Sequence, residues 1–308
     1  MRLEAVRDLK RELLEEPPTG ALGLEGAIAL GVAPAAGAVD YRLAVRVQGV
    51  EAGGDQLARI ERAAGGEVEV RHIGRVVAQS VPDVERRRPV PVGASVGHFE
   101  ITAGSVGAFV SVEDDDRARL LSNNHVLANE NRASAGDEIL QPGPADGGRR
   151  GEDRIATLER FVALDTAGVN EVDCALGLLD DGIEFVNEID GEPLRAEPAP
   201  PAEVEAVIKQ GRTTGFTRGT VSAIEVDGVT VSYSADTLRF DNQIEITGAG
   251  GAFSAGGDSG SLIVDQATLR GAALLFAGSE TGGPGGAGVT YGNPLGTVFE
   301  RLGVTGLR

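Results

Sequence analysis

From residue 92 onward, short apolar runs alternate with Gly, Asp and Asn about every ten residues, a rhythm too quick for packed helices. Runs of that length bury themselves as antiparallel strands joined by tight turns, so this part of the chain must close into sandwiches or barrels. Strands are expected over 106–112, 155–164, 172–179, 204–210, 262–264 and 272–276. Asp227-Gly228, between alternating apolar runs over 222–233, predicts a two-residue hairpin. The prolines Pro193, Pro198, Pro200 and Pro201 divide the region into two β units, 91–195 and 196–308.

Ahead of this region the texture differs. Leu3, Val6, Leu9, Leu13 and Leu14 recur at helical spacing, which predicts an amphipathic helix over residues 1–15 ended by Pro17 and Pro18. A strand over 41–47, a helix over 55–64 and strand material over 67–77 complete a small α/β unit, residues 1–90. The segment Glu85-Arg86-Arg87-Arg88-Pro89-Val90-Pro91 has the composition of a linker. Charge divides at the same place: residues 1–90 hold 14 acids and 13 bases, the rest 33 acids and 15 bases. The formal net charge of -19 repels phosphate backbones and anionic lipid, so neither nucleic acid nor a membrane is an expected partner. The single cysteine, Cys174, makes no internal disulfide and no metal cluster. With no leader-like apolar core and no membrane-length run, the expected location is the cytoplasm. The first helix is expected to pack on its own chain, with binding of a regulatory partner or a second copy through residues 1–90 as the alternative.

The chemistry concentrates in a few segments. Gly256-Gly257-Asp258-Ser259-Gly260-Ser261-Leu262 presents a serine on a tight turn, with unobstructed backbone N–H groups, just ahead of an apolar strand. A serine hydroxyl attacks a carbonyl only when a base removes its proton, and the chain offers His72, His98 and His125. His125 stands where an apolar run breaks into a turn, and Asp173 leads directly into another apolar run, as an orienting carboxylate should. His72 and His98 read as surface or satisfied core residues, Cys174 as core, and the acidic run 113–116 as a solvated hairpin tip. An α/β-hydrolase needs a histidine after the serine and G-x-S-x-G, but no histidine follows Ser259 and position 261 is serine. A subtilisin-like order would have to draw its aspartate from the tip at 113–116.

In the order His, Asp, Ser, these segments resemble the signatures of the chymotrypsin/trypsin family of serine peptidases: a histidine closing an apolar strand, an aspartate opening a D-x-A-L strand, and G-D-S-G. The resemblance covers roughly residues 93 to 308 and extends to 211–220 and to a terminal helix over 293–302. The segment 141–148 is similar to an intracellular branch that includes plant narrow-leaf-type peptidases. The resemblance implies a mainly β fold of two antiparallel six-stranded barrels with the α/β region as an appendage. It implies a trypsin-like serine endopeptidase acting on protein or peptide substrates, with Ser259 as nucleophile, His125 as general base and then acid, and Asp173 as its orienting group. The N–H groups of Gly257 and Ser259 would form the oxyanion hole, and Phe253 would line the base of the specificity pocket, which disfavours cleavage after Arg or Lys. No cofactor and no metal are implied. Secreted members pair a freed amino terminus with the acid before the serine, here Asp258. In this chain Asp258 is expected either to have another partner, as in constitutively active bacterial relatives, or to await cleavage at Arg86-Arg87-Arg88. The alternative is a catalytically silent or partner-activated module of the same fold, with residues 1–90 mediating interaction or oligomerisation.

Overall fold

In the computed structural model, which describes residues 1–15, 27–35, 40–48, 54–73, 76–77, 85–113 and 115–308, helix α1 (Leu3–Glu15) forms where the apolar spacing predicts it. Its Val6 is fully buried and its leucines pack on the core, while Lys10 and Arg7 reach Asp227 and Glu225 later in the same chain. Pro17 and Pro18 lie outside the described residues. Strands β1 (Ala27–Pro34) and β2 (Tyr41–Gln48) pair antiparallel in unbroken register, Ala27 opposite Gln48 and Pro34 opposite Tyr41. Helix α2 (Gly54–Ala63) then carries the chain over to β3 (Val68–His72), which runs parallel to β2. The expected strand material over 67–77 therefore forms two pieces, β3 and the short β4 (Val76–Val77).

The next unit holds β5 (Ser95–His98), β6 (Ala108–Val112), β7 (Asp115–Ser122), the one-turn helix α3 (Asn124–Leu127), β8 (Glu138–Leu140), β9 (Arg154–Phe161) and β10 (Ala175–Leu179). Its strands pair in the order β6-β7-β10-β9-β8-β5, an antiparallel row that curls without closing its ladder. The segment over 85–91 is bound to this unit: Arg87 N–H donates to Gln141 Oε1 at 3.0 Å, and Gln141 Nε2 donates to the Glu85 carbonyl at 3.0 Å.

The second unit closes on itself. Strands β11 (Ala206–Gly211), β12 (Gly215–Asp227), β13 (Val229–Ser232), β14 (Thr237–Phe240), β15 (Gln243–Gly248), β16 (Leu262–Asp265), β17 (Gly271–Ser279) and β18 (Thr290–Pro294) precede helix α4 (Leu295–Leu302). Hydrogen-bonded pairs run β11-β12-β15-β18-β17-β16 and back to β11, a complete six-stranded barrel. A last strand, β19 (Val304–Leu307), leaves α4 and pairs with β6 of the first unit. Asp227-Gly228 does not make the expected hairpin. Near Asp227 the edge of β12 is taken by β1, Leu30 opposite Asp227, so β13 turns away and pairs with β14 instead. Asp227 and Gly228 bind Asn242 and Asp241 at the far end of that second hairpin.

The strands described between residues 27 and 77 are thus woven into the second barrel. Strands β1, β2 and β3 extend its sheet through β12, and β4 lies between β13 and β17. A buried ion pair crosses the seam: Arg46 Nε donates to Glu245 Oε2 at 2.6 Å, and both side chains are fully buried. Ser222 Oγ and Tyr291 OH donate to the same carboxylate at 2.7 and 3.0 Å. Burial alone would push the Glu245 carboxyl up, but the charge and hydrogen bond of Arg46, helped by Ser222, outweigh it and hold it below the usual glutamate value. Replacing Arg46 by Met leaves that carboxylate buried with only the more distant Arg71 Nη1, 3.9 Å from Oε1, and the expected loss is about 3 kcal/mol, measured by urea unfolding at neutral pH. Because the folded value is depressed, the stability from this pair is complete above the ordinary glutamate pKa and fades as pH falls through the folded one. The Arg46→Met chain should accordingly lose part of the acid dependence of its unfolding midpoint.

Candidate active site

The strand β7 ends at Ser122, and the turn into α3 is fixed by asparagines. Asn124 Nδ2 donates to Asn131 Oδ1 and to the Val162 carbonyl, both at 2.8 Å, and Asn123 Nδ2 donates to the Asp173 carbonyl at 2.7 Å. His125 is carried on that turn with its side chain 12 % exposed, while Asp173, just ahead of β10, is fully buried. The structure brings the two together: His125 Nδ1 lies 2.5 Å from Asp173 Oδ2, and the His125 backbone N–H donates to Asp173 Oδ1 at 3.2 Å. Burial would raise the Asp173 carboxyl, but His125 and then Tyr233, whose hydroxyl donates to Oδ2 at 2.6 Å, bring it below the ordinary aspartate value. With Nδ1 turned to the carboxylate, Nε2 faces away from it and is buried with no hydrogen-bond partner.

Ser259 sits on the turn before β16. Gly257 and Gly260 have φ of +90° and +93°, the left-handed region that glycine enters without strain. The turn is held to the first unit by Ser105, whose N–H donates to the Ser259 carbonyl at 2.7 Å and whose Oγ donates to the Gly257 carbonyl at 2.8 Å. Gly104 places this turn beside the histidine segment: a Cβ there would come within 2.5 Å of Val126 Cγ2 and 2.8 Å of the Ser259 carbonyl oxygen. The amides of Asp258 and Gly260 donate to Ala255 and Leu275 carbonyls, whereas no acceptor among the described residues takes the N–H of Gly257 or of Ser259. Ser259 is 3 % exposed, and no hydrogen bond joins its hydroxyl to His125.

Asp258 has a partner within the chain. Its carboxylate accepts from the N–H groups of Thr213 and Thr214, the Thr214 hydroxyl and the Ala255 N–H, and Lys209 Nζ lies 3.2 Å away with both side chains fully buried. Burial pulls the Lys209 ammonium below the ordinary lysine value against the opposing pull of Asp258. A second buried pair stands alongside: Arg212 Nε and Nη2 donate to Asp146 at 2.5 and 2.6 Å, which ties β11's end to the first unit.

The remaining candidates separate from this cluster. His98 is buried, with Nε2 3.2 Å from Asp137 Oδ2, and His72 is exposed at the end of β3. Cys174 is buried, and the burial pushes its thiol well above the usual range. In the run 113–116, Asp115 is paired with Arg117 and Arg119, and Asp114 lies outside the described residues. Phe253 is 3 % exposed and belongs to the core around Ile246 and Leu275, with Lys209 Nζ 5.6 Å from its ring centroid. The sequence reading missed Lys209, Tyr233 and Asn293, whose Oδ1 accepts the Asp173 N–H at 3.0 Å. Lys209 alone left a trace, a lysine in the middle of an apolar strand.

No family model and no curated protein matches the chain. Among solved structures, it is similar to a glutamic-acid-specific serine protease described as using a histidine triad in substrate binding, at 23 % identity and TM-score 0.51, over 71 % of this chain and 100 % of that one. It is also similar to Nocardiopsis protease, at 17 % identity and TM-score 0.50, over 71 % of this chain and 99 % of that one. These likenesses establish the fold as the chymotrypsin-like double barrel, mainly β. Within that frame Lys209 neutralises the buried Asp258 carboxylate under the serine turn. Lys209→Met should cost about 3–5 kcal/mol in urea unfolding, since it strands Asp258 without a cation.

Proposed function

We propose that this chain is a serine endopeptidase, of the intracellular kind that its 141–148 segment resembles, cleaving peptide bonds through an acyl-enzyme on Ser259. The observation that supports the reading best is the orientation of His125: Nδ1 is bound to Asp173, so a neutral ring carries its lone pair on Nε2, the buried nitrogen that has no partner. In the reaction Nε2 takes the proton of the Ser259 hydroxyl as the oxygen attacks the substrate carbonyl. The negative oxygen of the tetrahedral intermediate finds the open N–H groups of Gly257 and Ser259. Nε2 then returns its proton to the leaving amine, and water repeats the sequence in reverse to release the acid. Asp173 stays ionised throughout and stabilises the imidazolium. These steps call on no cofactor.

Residues 91–195 carry the base and its carboxylate in this reading, residues 196–308 carry the nucleophile, and strands β1 to β4 of the leading α/β region brace the second barrel. Phe253, which the resemblance assigns to the base of the pocket, is packed in the barrel core, and with no acid in its place the reading disfavours cleavage after Arg or Lys. A second reading, a silent or partner-activated module, is favoured by one observation: Ser259 is nearly buried and its hydroxyl does not reach His125. A fluorophosphonate added to the full chain separates the two. The expected outcome is one covalent adduct on Ser259, absent in Ser259→Ala and slowed on the order of a thousand-fold in His125→Ala. An intact chain that takes no label would favour the silent module.

A further inference from the structure

We infer that Tyr233 is a positioning residue for the proposed reaction: its hydroxyl, presented by the β13–β14 turn, fixes the Asp173 carboxylate and through it the catalytic ring of His125. The inference rests on the peptidase reading and adds a residue to it. A fully buried carboxylate must satisfy its oxygens with donors. Oδ1 of Asp173 takes the His125 backbone N–H at 3.2 Å, and Oδ2 takes the ring Nδ1–H at 2.5 Å and the Tyr233 hydroxyl at 2.6 Å. Strand β17, which hydrogen-bonds the serine turn at Gly260 and Ser261, carries no hydroxyl from Gly271 to Gly278. The hydroxyl that completes the carboxylate comes instead from the hairpin.

Tyr233 is held so that it can do little else. Its N–H donates to the Asp236 carbonyl at 2.9 Å within the turn. Next to it, Ser234 N–H donates to Glu130 Oε1 at 3.1 Å and Arg132 Nη2 donates to Ser234 Oγ at 3.0 Å, so the hairpin tip is tied to the loop after α3. The ring stands edge-on to His125, centroids 5.8 Å apart, and stacks on Phe240 at 6.2 Å, which leans on Phe276 at 4.7 Å. A row of four rings thus runs from β17 to the base. Burial, and then the charge of Asp173, push the Tyr233 phenol well above its usual range, so the group remains a donor.

The test is Tyr233→Phe in the full chain, which keeps the ring against His125 and Phe240 and removes only the donor. Its rate of fluorophosphonate labelling should fall about tenfold, the loss of one hydrogen bond to a charged group, with the urea midpoint as control for folding. In proton NMR of the unlabelled chain, the Nδ1–H resonance of His125 should move downfield, because Oδ2 then serves one donor where it served two. A rate within twofold of the parent, or a lowered rate with an unmoved resonance, overturns the inference. If the parent itself takes no label, the peptidase reading fails separately. The resonance then decides the point: a downfield move supports control of the Asp173–His125 pair by Tyr233, and no move overturns it.

Discussion

The fold hinges on a charge taken out of water. Glu245 lies in the wall of the closed second barrel, fully buried, and an isolated carboxylate there would cost several kcal/mol. Its hydrogen-bonded cation is Arg46, 199 residues earlier, on a strand that joins the same sheet from outside the ring, with Arg71 of the adjoining β3 at 3.9 Å. The pair is therefore a condition on assembly more than a source of net stability. The barrel wall can be dry at this point only once β2 is docked, and β2 reaches it only through β1 on the edge of β12.

The candidate site is built by the same logic of shared satisfaction. Asp173 and the serine turn are each held by an element from the other half of the molecule. Asp173 belongs to the first unit, yet its backbone N–H is held by Asn293, and Asn293 in turn by Gln243 at 2.7 Å. The serine turn belongs to the second unit, yet Ser105 from the first holds two of its carbonyls. Under the turn, Lys209 and Arg212 bring two buried cations to two buried aspartates, one within the barrel and one across the cleft. Separating the halves by a small distance would expose several of these pairs together, which keeps the cleft narrow and the serine nearly buried.

Local patterns in the sequence made part of this legible. The glycines around Ser259 announce a turn because only positive φ lets the backbone make it, and the leucine spacing of residues 3–14 announces a helix because it puts one face in the core. The His, Asp, Ser order was readable because each residue abuts an apolar strand. What escaped was long-range. Asp227-Gly228 has the local chemistry of a hairpin, but the strand that claims the edge of β12 comes from far upstream, Leu30 opposite Asp227, and nothing nearby signals it. Tyr233 lies 60 residues from Asp173 in an ordinary polar turn, so its contact with the carboxylate has no sequence pattern. The Lys209–Asp258 pair was expected only as some partner for Asp258, since the identity of a buried counter-ion depends on which strand faces the turn.

The placement of β4 bears on the three exposed arginines that follow it. β4 hydrogen-bonds on one side to β13 and on the other to β17, at the end of the strand that lines the serine turn, while β1 is paired along β12. Hydrolysis of the backbone at 86–88 would break the chain without parting it, because the front piece would stay gripped by these three strand pairings and by the Arg46–Glu245 pair. The product would be a nicked particle of unchanged hydrodynamic size, running as two bands only after denaturation. A protein arranged in this way can be cut without being divided, so its covalent continuity and its physical integrity are separate properties.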